Sequence, residues 1–203
     1  MRSSVHFIVS HGRDKVPNNL LDLFIVSPKD ILLRIFESFV PPVSRYKRVY
    51  VDLMGPLIGF ILLTSFVSYG NTFKLVQNNI TPLEFLTQYS ILMPIVSYML
   101  CKLGQSTITF YETVSLIGYS YYGHFLTLLI SFIFFQEDNN LFYFMCLIIF
   151  GGFSTIRLIL VFSGTIFAPA VRLLVCSSIS VLNILCLIFL HFVYMHKTYN
   201  SNR

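Results

Sequence analysis

Five long apolar stretches dominate the last three-quarters of the chain, and each is about long enough to cross a lipid bilayer. They are Leu53–Tyr69, Phe85–Leu103, Val114–Phe135, Leu141–Phe162 and Val171–Tyr194. A segment that spans lipid must satisfy its own backbone hydrogen bonds, so each stretch is expected to form a helix. The pattern therefore predicts an all-α, polytopic membrane protein with five transmembrane helices.

A shorter amphipathic helix is predicted at residues 27–40. Ser27 suits the N-cap and Pro28 the first helical position, and apolar side chains then recur at helical spacing. Pro41 and Pro42 end the helix. With apolar residues on one side and basic ones on the other, this helix could lie on the membrane surface or dock on the transmembrane bundle, and the sequence favours neither.

The distribution of charged residues predicts how these segments are oriented across the membrane. Only 11% of the 203 residues are charged, against about a quarter in an ordinary globular domain. Eight of the fourteen Lys and Arg precede Val51, a bias typical of a cytosolic flank rather than of nucleic-acid binding. Five crossings then predict a basic cytosolic segment at 1–50, a membrane domain at 51–196 and a lumenal tail at 197–203.

Polar groups inside the apolar stretches are the candidates for chemistry. His124 lies near the middle of the third stretch, and Arg157 lies near the cytosolic end of the fourth. Either could anchor one helix to another or line a transport path. No catalytic motif is present, and the four cysteines lack metal-type spacing, so neither an enzyme nor a cofactor is predicted.

Asn79 begins an Asn-Ile-Thr sequon on the predicted lumenal loop, which makes it a candidate for N-glycosylation. The following Pro82 and the closeness of two membrane segments weigh against its occupancy.

Two short motifs resemble those of a known family. A DLxGP pattern stands at 52–56 and a Gly-Tyr pair at 118–119, and both resemble signatures of the Yip-domain family (Ypt/Rab-interacting Golgi membrane proteins). Matches at 151–157, 172–176 and 190–194 make the family's third animal member the closest. The motif residues expected to make helix contacts are Asp52, Leu53, Gly55, Pro56, Gly59, Gly118, Tyr119, Gly123, His124, Gly151, Gly152 and Arg157.

The resemblance covers about residues 27–197 and implies more than the residues alone show. It implies a five-helix membrane domain in the early Golgi cisternae, with cycling to the endoplasmic reticulum, and a role in Golgi organisation and vesicle-mediated transport. It also implies pairing with a sibling Yip protein, the family's fourth member, and contacts with Rab GTPases or other trafficking factors. The family has no established enzymatic activity. The residues before 27 are few and basic and depart from the family's long acidic cytosolic region, so the resemblance does not extend to the autophagy-adaptor motifs usually found there.

Two functions from different classes are compatible with these features. The first is a non-catalytic scaffold whose small-residue faces at Gly55/Gly59, Gly118/Gly123 and Gly151/Gly152 bind a sibling. The second is a small transporter or lipid-handling protein that uses His124 and Arg157. The first is favoured, because no Asp or Glu lies inside an apolar stretch and no inverted repeat is visible.

Overall fold

The computed structural model describes Phe24 and residues 26–39, 51–74, 79–134 and 140–195, and within these ranges it is helical without strands. The prediction of an all-α protein is confirmed. Two π-helical turns, Leu147–Gly151 and His191–Met195, follow the fifth and seventh α-helices. The α-helices are α1 Pro28–Phe39, α2 Met54–Asn71, α3 Pro82–Leu103, α4 Phe110–Ile133, α5 Leu141–Cys146, α6 Gly152–Thr165 and α7 Pro169–Leu190.

Four segments of the described chain, not five, are long and apolar enough to cross a membrane. They are Met54–Asn71, Phe110–Ile133, Leu141–Thr165 and Pro169–Met195. The prediction of five transmembrane helices is therefore wrong by one, and the missing member is α3. The predicted orientation places the two termini on opposite sides of the membrane, which requires an odd number of crossings. The orientation stays a prediction.

Helix α3 differs from the four candidate spans in composition rather than in length. Its 22 residues would extend about 33 Å at 1.5 Å per residue. However, polar side chains such as Glu84, Gln88, Ser90 and Lys102 dilute its apolar content. Pro94 lies inside the helix, and a proline in this position is the usual cause of a helix kink.

Helix α4 is the centre of the bundle. Of its most apolar 18 residues, 67% are buried, against 33–39% in the other three candidate spans. Helix α2 runs parallel to α4. Near its beginning, the carbonyl of Gly55 accepts a hydrogen bond from Tyr122 (2.8 Å), and near its end the rings of Phe66 and Phe132 lie 5.7 Å apart.

Helix α3 packs against both α2 and α4 and runs in the opposite direction to them. The hydroxyl of Tyr121 in the middle of α4 donates to Ser90 at 2.9 Å, and the ring of Tyr98 near the end of α3 meets Phe110 at the beginning of α4. Helices α5 and α6 also return along α4, and α7 packs against them and α3. Of the helices that pack on α4, α2 thus runs in the same direction as α4, whereas α3, α5 and α6 run in the opposite direction.

The ends of α2 and α7 are joined by a lysine outside the candidate spans. Lys74 donates to the backbone carbonyl of Phe192 at 3.1 Å and also to that of Val193. These carbonyls belong to the π-helical turn after α7, where a cation is favourable. Burial lowers the pKa of Lys74.

The predicted amphipathic helix is present as α1, and it packs against α2, α4 and α6. Docking on the bundle, one of the two alternatives for this helix, is therefore observed, whereas its contact with the membrane surface stays a prediction. The basic segment before Phe24, the Pro41-Pro42 stop and the tail after Met195 lie outside the described residues.

Helix α4 begins with a capping box, and this allows a direct test of the fold. The Thr109 backbone N–H donates to Glu112 at 2.6 Å, and the Glu112 N–H donates to the Thr109 hydroxyl at 3.4 Å. We expect Thr109→Ala to lower the free energy of unfolding by about 1 kcal/mol, measured by denaturation in detergent micelles. Thr107→Ala in the preceding exposed loop is the control; equal effects of the two variants would contradict the capping role.

Candidate functional site

A buried carboxylate marks the beginning of the first candidate span. Asp52 is fully buried, and it forms an ion pair with Arg34 of α1. The same carboxylate accepts the Gly55 backbone N–H at 3.0 Å, as a helix-capping residue does. A buried charge is tolerated only when it is paired and hydrogen-bonded, so these donors explain why an acid can stand here.

Helix α4 supplies the third donor to Asp52. The Tyr119 hydroxyl donates to the two carboxylate oxygens at distances of 2.9 and 3.1 Å. One turn further along, Tyr122 donates to the Gly55 carbonyl at 2.8 Å. The Asp of the DLxGP motif and the Tyr of the Gly-Tyr pair are therefore bound to each other across the α2–α4 contact.

Glycines allow these two helices to approach closely. A Cβ on Gly55 would collide with the Tyr119 hydroxyl, and a Cβ on Gly118 would collide with the Pro56 ring. At Gly59 a Cβ would lie only 3.1 Å from the Tyr122 ring. The sequence motif is therefore a set of residues that fit together in space, in which Gly is required by the volume that the aromatic and proline rings occupy.

The contact of α4 with α6 is built in the same way. A Cβ on Gly123 would lie 2.5 Å from Cβ of Ser154, and one on Gly151 would lie 2.8 Å from Leu187 of α7. Gly152 is different, because the nearest neighbour of its Cβ would be the Leu147 carbonyl in its own π-helical turn at 3.8 Å. Five of the six predicted contact glycines thus face other helices of this chain, and Gly152 does not.

Asn183 of α7 connects four helices, and the sequence analysis missed it. Its side chain is fully buried and donates to Thr155 of α6 at 2.8 Å. Its oxygen accepts from Tyr89 of α3 at 3.2 Å and from Ser120 of α4 at 3.4 Å. An amide in the middle of an apolar stretch was the available signal, because polar residues at membrane depth usually bond to another helix.

Arg34 was also missed as a partner of Asp52. The sequence analysis assigned it to the polar side of an amphipathic helix. Arg34 lies 18 residues before Asp52, and a segment with two prolines separates them. Nothing in this spacing predicts that the two side chains meet. Only the packing of α1 against the bundle brings the two charges together.

The remaining predicted residues occupy different environments. His124 is fully buried, its ring centre is 6.4 Å from that of Tyr121, and neither of its nitrogens has a hydrogen-bond partner in the described structure. The interhelical hydrogen bond expected of it is therefore not observed. Arg157 lines a cavity of about 10 Å³ between α1, α4 and α6. Asn79 is exposed in the connection before α3.

The two classes of glycine can be compared by mutation. We expect Gly55→Ala to destabilise the protein by about 1–3 kcal/mol, because the new methyl group overpacks against Tyr119. Gly152→Ala should be neutral or slightly stabilising, because space is open and Ala is the better helix former. Thermal unfolding in detergent measures both, and equal tolerance of the two would contradict the close packing of α2 on α4.

The ion pair is best measured by a double-mutant cycle. Asp52→Asn or Arg34→Gln alone should each cost about 3 kcal/mol, because either leaves a buried charge without its partner. The double variant should cost clearly less than the sum of the two. Unfolding in mixed micelles gives the three values, and Lys29→Gln on the exposed side of α1 is the control. Additive effects would show that the two charges do not interact.

Comparison with known families agrees with this geometry. The family model described as YIPF3 C-terminal domain matches residues 28–195, a range that begins with α1 and ends with the π-helical turn after α7. No solved structure matches the chain. The matched range contains the buried Asp52 junction, the glycine contacts and the Asn183 network. This protein is a member of the Yip family of membrane proteins and carries its YIPF3-type C-terminal domain.

Proposed function

We propose that this protein is a non-catalytic membrane protein of the Golgi that pairs with a sibling Yip protein and supports Golgi organisation and vesicle-mediated transport. Membership of the Yip family makes a trafficking-related role the starting point. The observation that carries the proposal is how its buried polar groups are used. Asp52, Tyr119 and Asn183 each bond to other helices, so they hold the bundle together rather than face a substrate.

Three of the five acidic residues of the described chain, all but Asp30 and Glu37 of α1, have structural roles that support a non-catalytic function. Asp52 is fully buried and accepts from three groups, so a substrate would have to displace them to reach it. Glu84 and Glu112 are engaged in the capping boxes of α3 and α4. A general acid or base has to reach the group whose proton it moves, and these side chains are already bound elsewhere.

The described residues do not support the transporter alternative. His124 is fully buried and is not among the residues that line the cavity beside Arg157. That cavity, at about 10 Å³, is close to the space needed by a single water molecule. The two residues that would mark a polar path therefore do not share one.

The partner surface is assigned to Gly152, because the other predicted contact glycines are used inside the chain. Gly152 is partly exposed, and a Cβ there would make only an ordinary van der Waals contact with the Leu147 carbonyl of its own π-helical turn. Exposed apolar side chains surround it, including Ile148, Phe153 and Ile156. Small residues let membrane helices approach closely, so this exposed patch on α6 fits an apolar helix of the sibling.

The proposed orientation places the end of the bundle that carries Lys102 and Arg172 in the cytosol. These residues stand at the end of α3 and the beginning of α7, and Gly104 and Val171 beside them are in contact range. Basic residues accumulate on cytosolic flanks. Asn79, near the opposite end of α3, would then face the lumen, where it could be glycosylated.

Purification of the tagged chain in mild detergent, followed by mass spectrometry, tests the pairing. We expect a sibling Yip protein in near-equal amount, and we expect Gly152→Leu to lower its recovery because the side chain fills the approach site. Gly164→Leu, at an exposed position near the other end of α6, is the matched control and should leave recovery unchanged. A homogeneous homo-oligomer without a sibling would overturn the proposal.

A further inference from the structure

Helix α1 exposes large apolar side chains on the side that faces away from the bundle. The side that faces the bundle carries Arg34, which is ion-paired to Asp52, together with Ile31 and Ser38, which are buried. The outer side carries Leu32, Leu33 and Phe36, which are 58%, 61% and 71% exposed. In water the apolar side of a helix faces the core, so the arrangement is unfavourable unless the outer side meets an apolar medium.

The level at which α1 docks identifies that medium. Through Asp52, Arg34 reaches Tyr119, which is nine residues and about 13 Å from the beginning of α4. Ser38 lines the small cavity with Arg157, which is eight residues and about 12 Å from the end of α6. Helix α1 therefore lies alongside two candidate membrane spans and not beyond their ends.

The lengths of these spans place the docking level inside the hydrocarbon. Helix α4 has 24 residues, or about 36 Å, and the hydrocarbon core is about 30 Å thick. Helix α4 is therefore about 6 Å longer than the hydrocarbon core. Even if this whole excess lay at the beginning of α4, Tyr119, which is about 13 Å from that end, would still lie inside the hydrocarbon. Tilting α4 would shorten its reach along the membrane normal and reduce the excess further.

We propose that α1 is a half-inserted membrane helix whose outer side, formed by Leu32, Leu33 and Phe36, is covered by lipid acyl chains of one leaflet. Its inner side is held to the bundle by the Arg34–Asp52 pair. This ion pair therefore sets the depth at which the apolar outer side of α1 lies in the leaflet. Lys29 and Asp30 are exposed at the beginning of the helix, where they fit the headgroup layer. This assignment to lipid does not depend on the pairing with a sibling.

Continuity with the neighbouring surface supports lipid as the occupant. Leu57 and Ile61 of α2, 45% and 53% exposed, belong to a candidate membrane span that begins at the same level. The outer side of α1 thus extends a surface that is apolar on a helix fit to cross the membrane. Interfacial helices of this kind bury their apolar side at the boundary between headgroups and acyl chains.

The absence of Trp from the chain allows a direct measurement of depth. We would introduce single Trp reporters by Phe36→Trp and Leu33→Trp and reconstitute the full chain in phosphatidylcholine vesicles. Leu62→Trp, at an exposed position of α2, serves as the lipid-facing reference, and Lys29→Trp as the headgroup-side reference. Phosphatidylcholine with brominated acyl chains reports contact with lipid, and iodide reports contact with water.

We expect the Phe36→Trp reporter to show blue-shifted emission and a loss of intensity in brominated lipid close to that of Leu62→Trp. Lys29→Trp should respond mainly to iodide. Strong iodide quenching of Phe36→Trp would place the outer side in water and overturn the proposal. Quenching by neither agent would show that protein covers this side, and it would overturn the proposal as well. Leu33→Trp, on the same side, provides the same answer if the Phe36 variant does not fold.

Discussion

The structure depends on the burial of one carboxylate. Asp52 stands where α1, α2 and α4 meet, and it is satisfied by the Arg34 guanidinium, the Gly55 backbone N–H and the Tyr119 hydroxyl. One donor comes from α1, one from the first turn of α2 and one from α4. Because an unpaired charge in an apolar interior is very costly, the three elements have to adopt positions that keep all these contacts at once.

Close packing follows from this requirement. Hydrophobic burial does little to join helices within lipid, so contact surfaces and interhelical hydrogen bonds become the main sources of association. Gly55 and Gly118 leave the space that Tyr119 and Pro56 occupy, and the Asn183 amide adds a second point at which several helices are joined. Asp52, Asn183 and five of the six predicted contact glycines are therefore used in contacts within the chain. What remains for a partner is the outer surface of the bundle, where Gly152 lies among exposed apolar side chains.

The position of α1 beside the membrane spans also follows from the burial of Asp52. Its Arg34 has to reach a carboxylate that lies well inside the ends of α4 and α6, and this draws the whole helix alongside membrane-spanning segments. Its outer leucines and phenylalanine then point away from the protein at a depth where lipid is the surrounding medium. A short helix for which the sequence favoured neither the membrane surface nor the bundle therefore docks beside the candidate membrane spans, and the junction at Asp52 is its attachment.

The amino-acid sequence by itself determined the helical class, the membrane setting and the positions of the long helices, because unbroken apolar stretches in lipid have only one way to satisfy their backbone. It also pointed to Asp52, Tyr119 and the glycines through the family motifs. The sequence also contains the polar residues that separate α3 from the other spans, but a prediction based on the length of the apolar stretches treats all five alike. Tertiary structure alone decided which glycines face inward, that Asn183 joins four helices and that Arg34 pairs with Asp52. Those facts depend on the rotation and depth of each helix, which are set by contacts between residues far apart in the chain.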